Sequence, residues 1–205
     1  MSARWLGRIS YEAAMALQVE IAGRKAEVPD APDELLLLEH DPVFTIGRTP
    51  DLSSLGDPRA LPAPLVTINR GGQATWHGPG QLVAYPLVDL RRRGSDLHRY
   101  LRDVEEFAIG LCAGFGVATT RREGLTGAWV GERKIVSIGV GVRRWITMHG
   151  FALNVCGPLD GFDHITPCGL GGVTMTSLER EGVQGVDVGK VAAMAADLWE
   201  RNGSI

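Results

Sequence analysis

The chain has 205 residues, 44 % of them hydrophobic and 22 % charged, with a formal net charge of −3 at pH 7. That length supports a core without disulfide or metal staples. The charge balance offers no basic footprint for nucleic acid, and no apolar run is long enough to cross a bilayer. The opening stretch MSARWLGRISYEAAMALQ lacks an apolar segment followed by a small-residue cleavage site, so a cytoplasmic location is expected.

In chain order, the periodicity predicts a helix over 10–24, with Ala13, Leu17 and Ile21 at four-residue steps behind Ser10 as a cap. Short apolar or β-branched runs at 35–39, 43–47, 65–69 and 81–87 read as strands, separated by Pro, Gly and Asp clusters. A second helix is expected from a Ser95 cap, with Leu97, Leu101, Val104, Ala108 and Leu111 as its stripe, until Gly114 and Gly116 stop it. Three strand-like runs between Gly127 and Val155 read as an antiparallel meander, its first turn at Gly131-Glu132-Arg133. A last helix is placed at 188–200. Helices and strands alternate too irregularly for a doubly wound sheet, and the expected fold is α+β: a single domain over 1–205, with a mixed or antiparallel sheet flanked by helices.

Chemistry concentrates at few positions. The segment RGGQATWHGPGQ, 70–81, carries four glycines and a proline between two expected strands, which lets backbone N–H groups approach a ligand closely. It does not match the phosphate-binding G-x-x-x-x-G-K-[ST] pattern, and a plain turn remains an open reading. His77 within it could donate a hydrogen bond to an acyl oxygen or serve structurally. The three cysteines are Cys112, Cys156 and Cys168, without metal-type spacing. Cys112 falls in a helix and Cys156 ends a strand, so both read as small buried hydrophobes. Cys168 sits in the irregular, Pro/Gly-bounded ITPCGL, where a thiol meets solvent more readily, and both a nucleophilic and a structural role stand open.

Only three of 21 basic residues are lysines: Lys25, Lys134 and Lys190. A lysine can act as a base where an arginine cannot. Lys134 opens the run KIVSIGVGV, and a strict period of two puts it on the face of Val136, Ile138, Val140 and Val142, with Ser137, Gly139 and Gly141 opposite. Burial of that face would favour the uncharged amine, while the alternative is an exposed residue after a turn.

Five ordered blocks, LLLEH (36–40) with PVFTIG (42–47), RGGQATWHGPGQ, GAWVGERKIVSIGV (127–140), TMHGFALN (147–154) and PCG (167–169), together resemble the lipoyl(octanoyl) transferases, whose fold is related to that of lipoate and biotin protein ligases. Trp76, where tyrosine is frequent, and Cys156, where a polar residue is usual, depart from that pattern. The resemblance implies that Cys168 is the acyl-thioester nucleophile and Lys134 its proton-shuttling partner. It also implies a substrate pocket lined by Arg70, Gly71, Gly72, Gln73, Ala74, Thr75, Trp76 and His77, by Ser137, Ile138 and Gly139, and by Gly150, Phe151 and Ala152. The implied donor is octanoyl-acyl-carrier protein; the implied acceptors are lipoyl domains of 2-oxoacid dehydrogenase E2 subunits and the glycine cleavage H protein, with no cofactor or metal. The missing side chains at Gly139 and Gly141 are expected to make room for the acyl chain. Arg91 to Arg93 and the pair Arg143 and Arg144 each read as solvated loop or strand-end residues, and steering of an acidic carrier by any single one of these patches is not expected. The rival readings are an ATP-dependent lipoate or biotin ligase, a cysteine acyl hydrolase, and a non-catalytic lipoyl-domain binding module.

Overall fold

The computed structural model describes residues 2–28, 30–48, 53–166 and 172–202; Cys168 lies outside the described residues. The elements run β1 (Ser2–Ile9), α1 (Tyr11–Glu27), β2 (Glu34–His40), β3 (Val43–Ile46), β4 (Leu65–Thr67), β5 (Thr75–His77), β6 (Gln81–Leu87), α2 (Leu97–Gly114), β7 (Thr120–Arg122), β8 (Leu125–Val130), β9 (Arg133–Arg143), β10 (Ile146–Asn154) and α3 (Val188–Asn202). A seven-stranded sheet has the order β1-β2-β6-β10-β9-β8-β7, and a three-stranded one the order β4-β3-β5. β1 joins β2 in parallel and the rest of the large sheet is antiparallel, so the sheet is mixed and the class α+β.

The run of four leucines in β2 follows from burial on both faces, which removes the need for alternating polarity. Leu35 and Leu37 join Leu82, Ala84, Phe151 and Leu153 in a core closed by α2 and α3. Leu36 and Leu38 point the other way and meet Val83, Tyr85 and Ala152 beneath Ala14 and Ile21 of α1. At about 1.5–3 kcal/mol for each large apolar side chain fully buried, these central strands carry much of the stability. The small sheet closes a satellite core in which the Trp76 indole meets Phe162 edge-on, with ring centroids 5.6 Å apart.

Four details differ from the pattern reading. The buried face of α1 is Tyr11, Ala14, Gln18, Ile21, Ala22 and Lys25, while Ala13 is exposed, because the helix also packs polar side chains inward. Lys25 is 1 % exposed and binds Asp33 at 2.8 Å. The cap of α2 is Asp96, whose side chain accepts from Arg99 N, whereas Ser95 takes φ 53°. β1 escaped notice because its edge position leaves Trp5 45 % exposed and blurs any alternation. Finally, the glycine-rich segment is not all loop: Thr75–His77 form β5, antiparallel to β3.

Candidate active site

Glycines bring the 69–72 segment down onto the large sheet. Gly71 N donates to Val140 O at 3.0 Å, and Arg70 donates to Gly71 O at 2.8 Å and to Thr45 Oγ1 at 3.0 Å. A Cβ at Gly139 would lie 2.9 Å from Arg70 Cδ, and one at Gly141 2.5 Å from Asn69 O. The space these glycines leave is therefore already filled by the segment above them. This corrects the expectation that they open room for an acyl chain; they permit the close approach that builds the wall.

That wall, β5, β6, β9 and β10 enclose a narrow cleft. Among the residues selected from sequence, Arg70, Gly72, Gln73, Ala74, Thr75 and His77 line it on one side, and Ser137, Ile138, Gly139, Gly150, Phe151 and Ala152 on the other. Gly71 and Trp76 are not on its surface: Gly71 is tied to β9, and Trp76 is buried in the satellite core. Tyr11, Ile68, Val83, Tyr85 and His149 also line the cleft and were missed. The signal available for Tyr85 and His149 was a Tyr or His within a run of otherwise apolar strand residues, whereas Tyr11 opens α1 and gave no such signal.

The histidines and tyrosines around the cleft are held uncharged, beside the Arg70 guanidinium. His40 Nε2 lies 2.7 Å from Tyr85 Oη, and its ring lies 5.8 Å from that of His77. Burial pulls His40 and His149 down to about 4 and His77 to about 3, and pushes Tyr11 up to about 12. His149 takes φ 59°, and its backbone N–H donates to the buried Gln18 Oε1 at 2.7 Å. Its Nε2 and Tyr11 Oη are buried and have no hydrogen-bond partner among the described residues. Neutral rings in apolar walls suit a slot for an uncharged chain with a few polar contacts.

Lys134 is 2 % exposed. Ala128 pairs with Val136, yet the next residue, Trp129, pairs with Lys134, so β9 carries one extra residue, a bulge. Paired residues project to the same side of a sheet and neighbours to opposite sides. Lys134 therefore lies on the opposite face from Val136, which corrects the period-two expectation. Ser137 and Ala152 are paired, as are Gly139 and Gly150, so Lys134 shares the cleft-facing side of β9. Its Nζ lies 5.2 Å from the Trp129 ring centroid, a cation–π arrangement, and a Cβ on Gly127 would come within 2.9 Å of its Cε. The backbone of Lys134 donates to Thr174 O and accepts from Thr176 N, both at 2.9 Å. The strand that holds the lysine is thus clasped to the chain six positions beyond Cys168.

A buried chain of side chains links the two halves of the site. His77 Nδ1 lies 2.6 Å from Gln81 Oε1, Gln81 Nε2 donates to Asn154 Oδ1 at 2.9 Å, and Asn154 Nδ2 donates to Thr176 O at 2.9 Å. The other thiols are unsuited to attack. Cys112 is buried and pushed up to about 12 by burial, and burial with nearby carboxylates raises Cys156, which is half-buried rather than fully so. Arg92 and Arg93 bind Asp33 and Arg91 binds Asp89, so this trio is engaged in ion pairs, whereas Arg143 and Arg144 sit exposed at the β9–β10 turn.

A mixed sheet with helices on both faces and a cleft along β9 and β10 defines the catalytic fold of lipoate and biotin protein ligases. Lipoate-protein ligase A bound with ATP superimposes with a TM-score of 0.76 at 17 % identity, over 98 % of this chain and 85 % of that one. Biotin protein ligase from Aquifex aeolicus in complex with biotin and ATP does so with 0.56 at 12 %, over 98 % and 69 %. Residues 10–198 match the lipoyl protein ligase A/B catalytic domain, and the chain belongs to that family. Within it, the chain is 50 % identical over 191 residues to an octanoyltransferase of Geobacter sulfurreducens, spanning 93 % of this chain and 80 % of that relative.

Proposed function

We propose that the protein is an octanoyltransferase, an acyltransferase of protein lipoylation. It takes an octanoyl group from octanoyl-acyl-carrier protein onto Cys168 and passes it to a lysine of the lipoyl domains of 2-oxoacid dehydrogenase E2 subunits and of the glycine cleavage H protein, in the cytoplasm. The observation that carries this reading is the placement of Lys134: buried, turned by a bulge to the cleft side of the sheet, and clasped by the segment that leads back to Cys168. The relatives named octanoyltransferases support the same assignment, as does the unsuitability of Cys112 and Cys156.

The mechanism follows from these residues. Lys134 as a neutral amine takes the Cys168 proton, the thiolate attacks the thioester carbon, and the carrier thiol leaves and is reprotonated. The acceptor amine then attacks the acyl-enzyme, the C–N bond forms, the C–S bond breaks, and the proton lost from nitrogen returns through Lys134 to the cysteine. An amide is more stable than a thioester, so transfer runs downhill without ATP. Ile68, Val83 and Ala152 supply apolar wall for the chain.

The ligand-bound ligases of the same fold favour one alternative, activation of a free acid by ATP. The two part cleanly on incubation with octanoyl-carrier protein without nucleotide or magnesium, followed by intact mass and peptide mapping. A hydroxylamine-labile octanoyl adduct on Cys168, absent from Cys168→Ala, is expected; an absolute ATP requirement overturns the reading, and release of free octanoate in place of transfer turns it into a hydrolase. Lys134→Arg is expected to slow acylation despite keeping its charge.

A further inference from the structure

We infer that His77 accepts a hydrogen bond from the acceptor amine and so orients it for attack, with Gln81 and Asn154 as positioning residues that fix its proton on Nδ1; this rests on the transfer reading above. The chain of amides has two anchored ends. Thr176 O and Trp76 O are carbonyl oxygens and only accept. Asn154 therefore turns its NH2 to Thr176 O, at 2.9 Å, and its Oδ1 to Gln81. Gln81 in turn directs its NH2 at that Oδ1 and at Trp76 O, 3.3 Å away. Side-chain amides are ordinarily ambiguous in orientation, but flipping either one here would set oxygen against oxygen.

Gln81 Oε1 is thereby fixed against His77 Nδ1 at 2.6 Å, and an amide oxygen cannot donate. The proton must sit on Nδ1, which leaves Nε2 of the neutral ring with a lone pair. Burial, then the neighbouring His40, keeps this ring neutral, with its titration at about 3. A ring in this state cannot donate to an acyl oxygen from Nε2, the role suggested by its place in the glycine-rich segment. It can receive an N–H. An octanoyl chain has none, and neither does a thioester carbonyl or its sulfur. The reactant with N–H at its reacting atom is the acceptor lysine. As that amine attacks the acyl carbon, its transferred proton goes by way of Lys134 to the departing Cys168 sulfur; His77 orients the nitrogen and keeps no proton. A ring titrating this low is a poor base but an adequate hydrogen-bond acceptor.

The test has two arms. Long-range 1H–15N spectra of protein labelled with 15N-histidine, with His77 assigned by through-bond correlation from its backbone in uniformly 13C,15N-labelled unaltered protein, are expected to show the Nδ1–H tautomer. Gln81→Leu should shift the ring toward Nε2–H and Gln81→Glu, which retains an acceptor, should restore it. In single-turnover assays His77→Asn keeps a side-chain N–H for Gln81 but loses the Nε2 lone pair. It is expected to slow amide formation from preformed acyl-enzyme about tenfold more than acyl-enzyme formation. An Nε2–H ring in the unaltered protein, or an equal loss in both half-reactions, overturns the inference while leaving the transfer reading in place. Failure of the unaltered protein to form any acyl-enzyme overturns both. Because the tautomer is read on the unaltered protein, misfolding of a variant does not leave the inference undecided.

Discussion

A methyl group on Gly127 would sit 2.4 Å from Val136 O and 2.9 Å from Lys134 Cε, at a backbone φ of 131°. No side chain fits there without moving the lysine or the bulge that turns it. Gly127→Ala is therefore expected to slow acyl-enzyme formation by at least about tenfold and to cost about 1–3 kcal/mol of stability. Single-turnover acylation and urea unfolding measure the two effects; a variant normal in both would show that Gly127 does not position Lys134. At this scale the sequence was informative where a residue type was scarce. Of the three lysines, Lys25 and Lys134 are buried, the first bound to Asp33 and the second beside Trp129, while Lys190 lies at the surface. Rarity flagged both buried lysines without separating the structural one from the candidate catalytic one, because only the surrounding partners do that.

Elements were legible wherever burial imposed a regular period. The β8–β9–β10 meander, the span of β6 and the start of α3 all follow from local pattern. The bulge in β9 did not, since one extra residue leaves the apolar run unbroken while reversing the face of everything before it. The glycines of β9 were likewise visible as glycines but not as contacts. Gly139→Val is expected to displace Arg70 and the 69–72 segment, lowering acyl transfer for chains of every length instead of shifting preference to shorter ones. Comparing C4, C6 and C8 thioester donors decides it: a selective gain of the short donors would restore a chain-measuring role for that glycine.

Across the whole molecule, three buried histidines tie stability to pH. In the folded chain His40 and His149 titrate at about 4 and His77 at about 3, with burial the leading cause, against about 6.5 when exposed. Between these limits the unfolded chain binds protons that the native rings refuse, so stability is complete above about pH 6.5 and falls as the pH drops from about 6.5 toward about 4. Each ring adds a slope of about 1.4 kcal/mol per pH unit in that window. Urea unfolding at pH 7, 5.5 and 4.5 should trace this decline, and an unfolding free energy that stays level from pH 6.5 to 5 would refute it. Asp33 acts in a lower window: burial opposes its charge, but the Lys25 hydrogen bond and charge, the Asp89 N–H and Arg92 hold its carboxyl below the usual range, so its contribution is lost only as the pH falls through that depressed value. The amino-acid order alone determined the strand and helix periods, the family likeness and the residues able to do acyl chemistry, since these depend on local spacing and residue type. Which face Lys134 occupies, what fills the space above Gly139 and Gly141, and which nitrogen of His77 holds its proton were decided by tertiary structure alone, because each depends on partners distant in sequence.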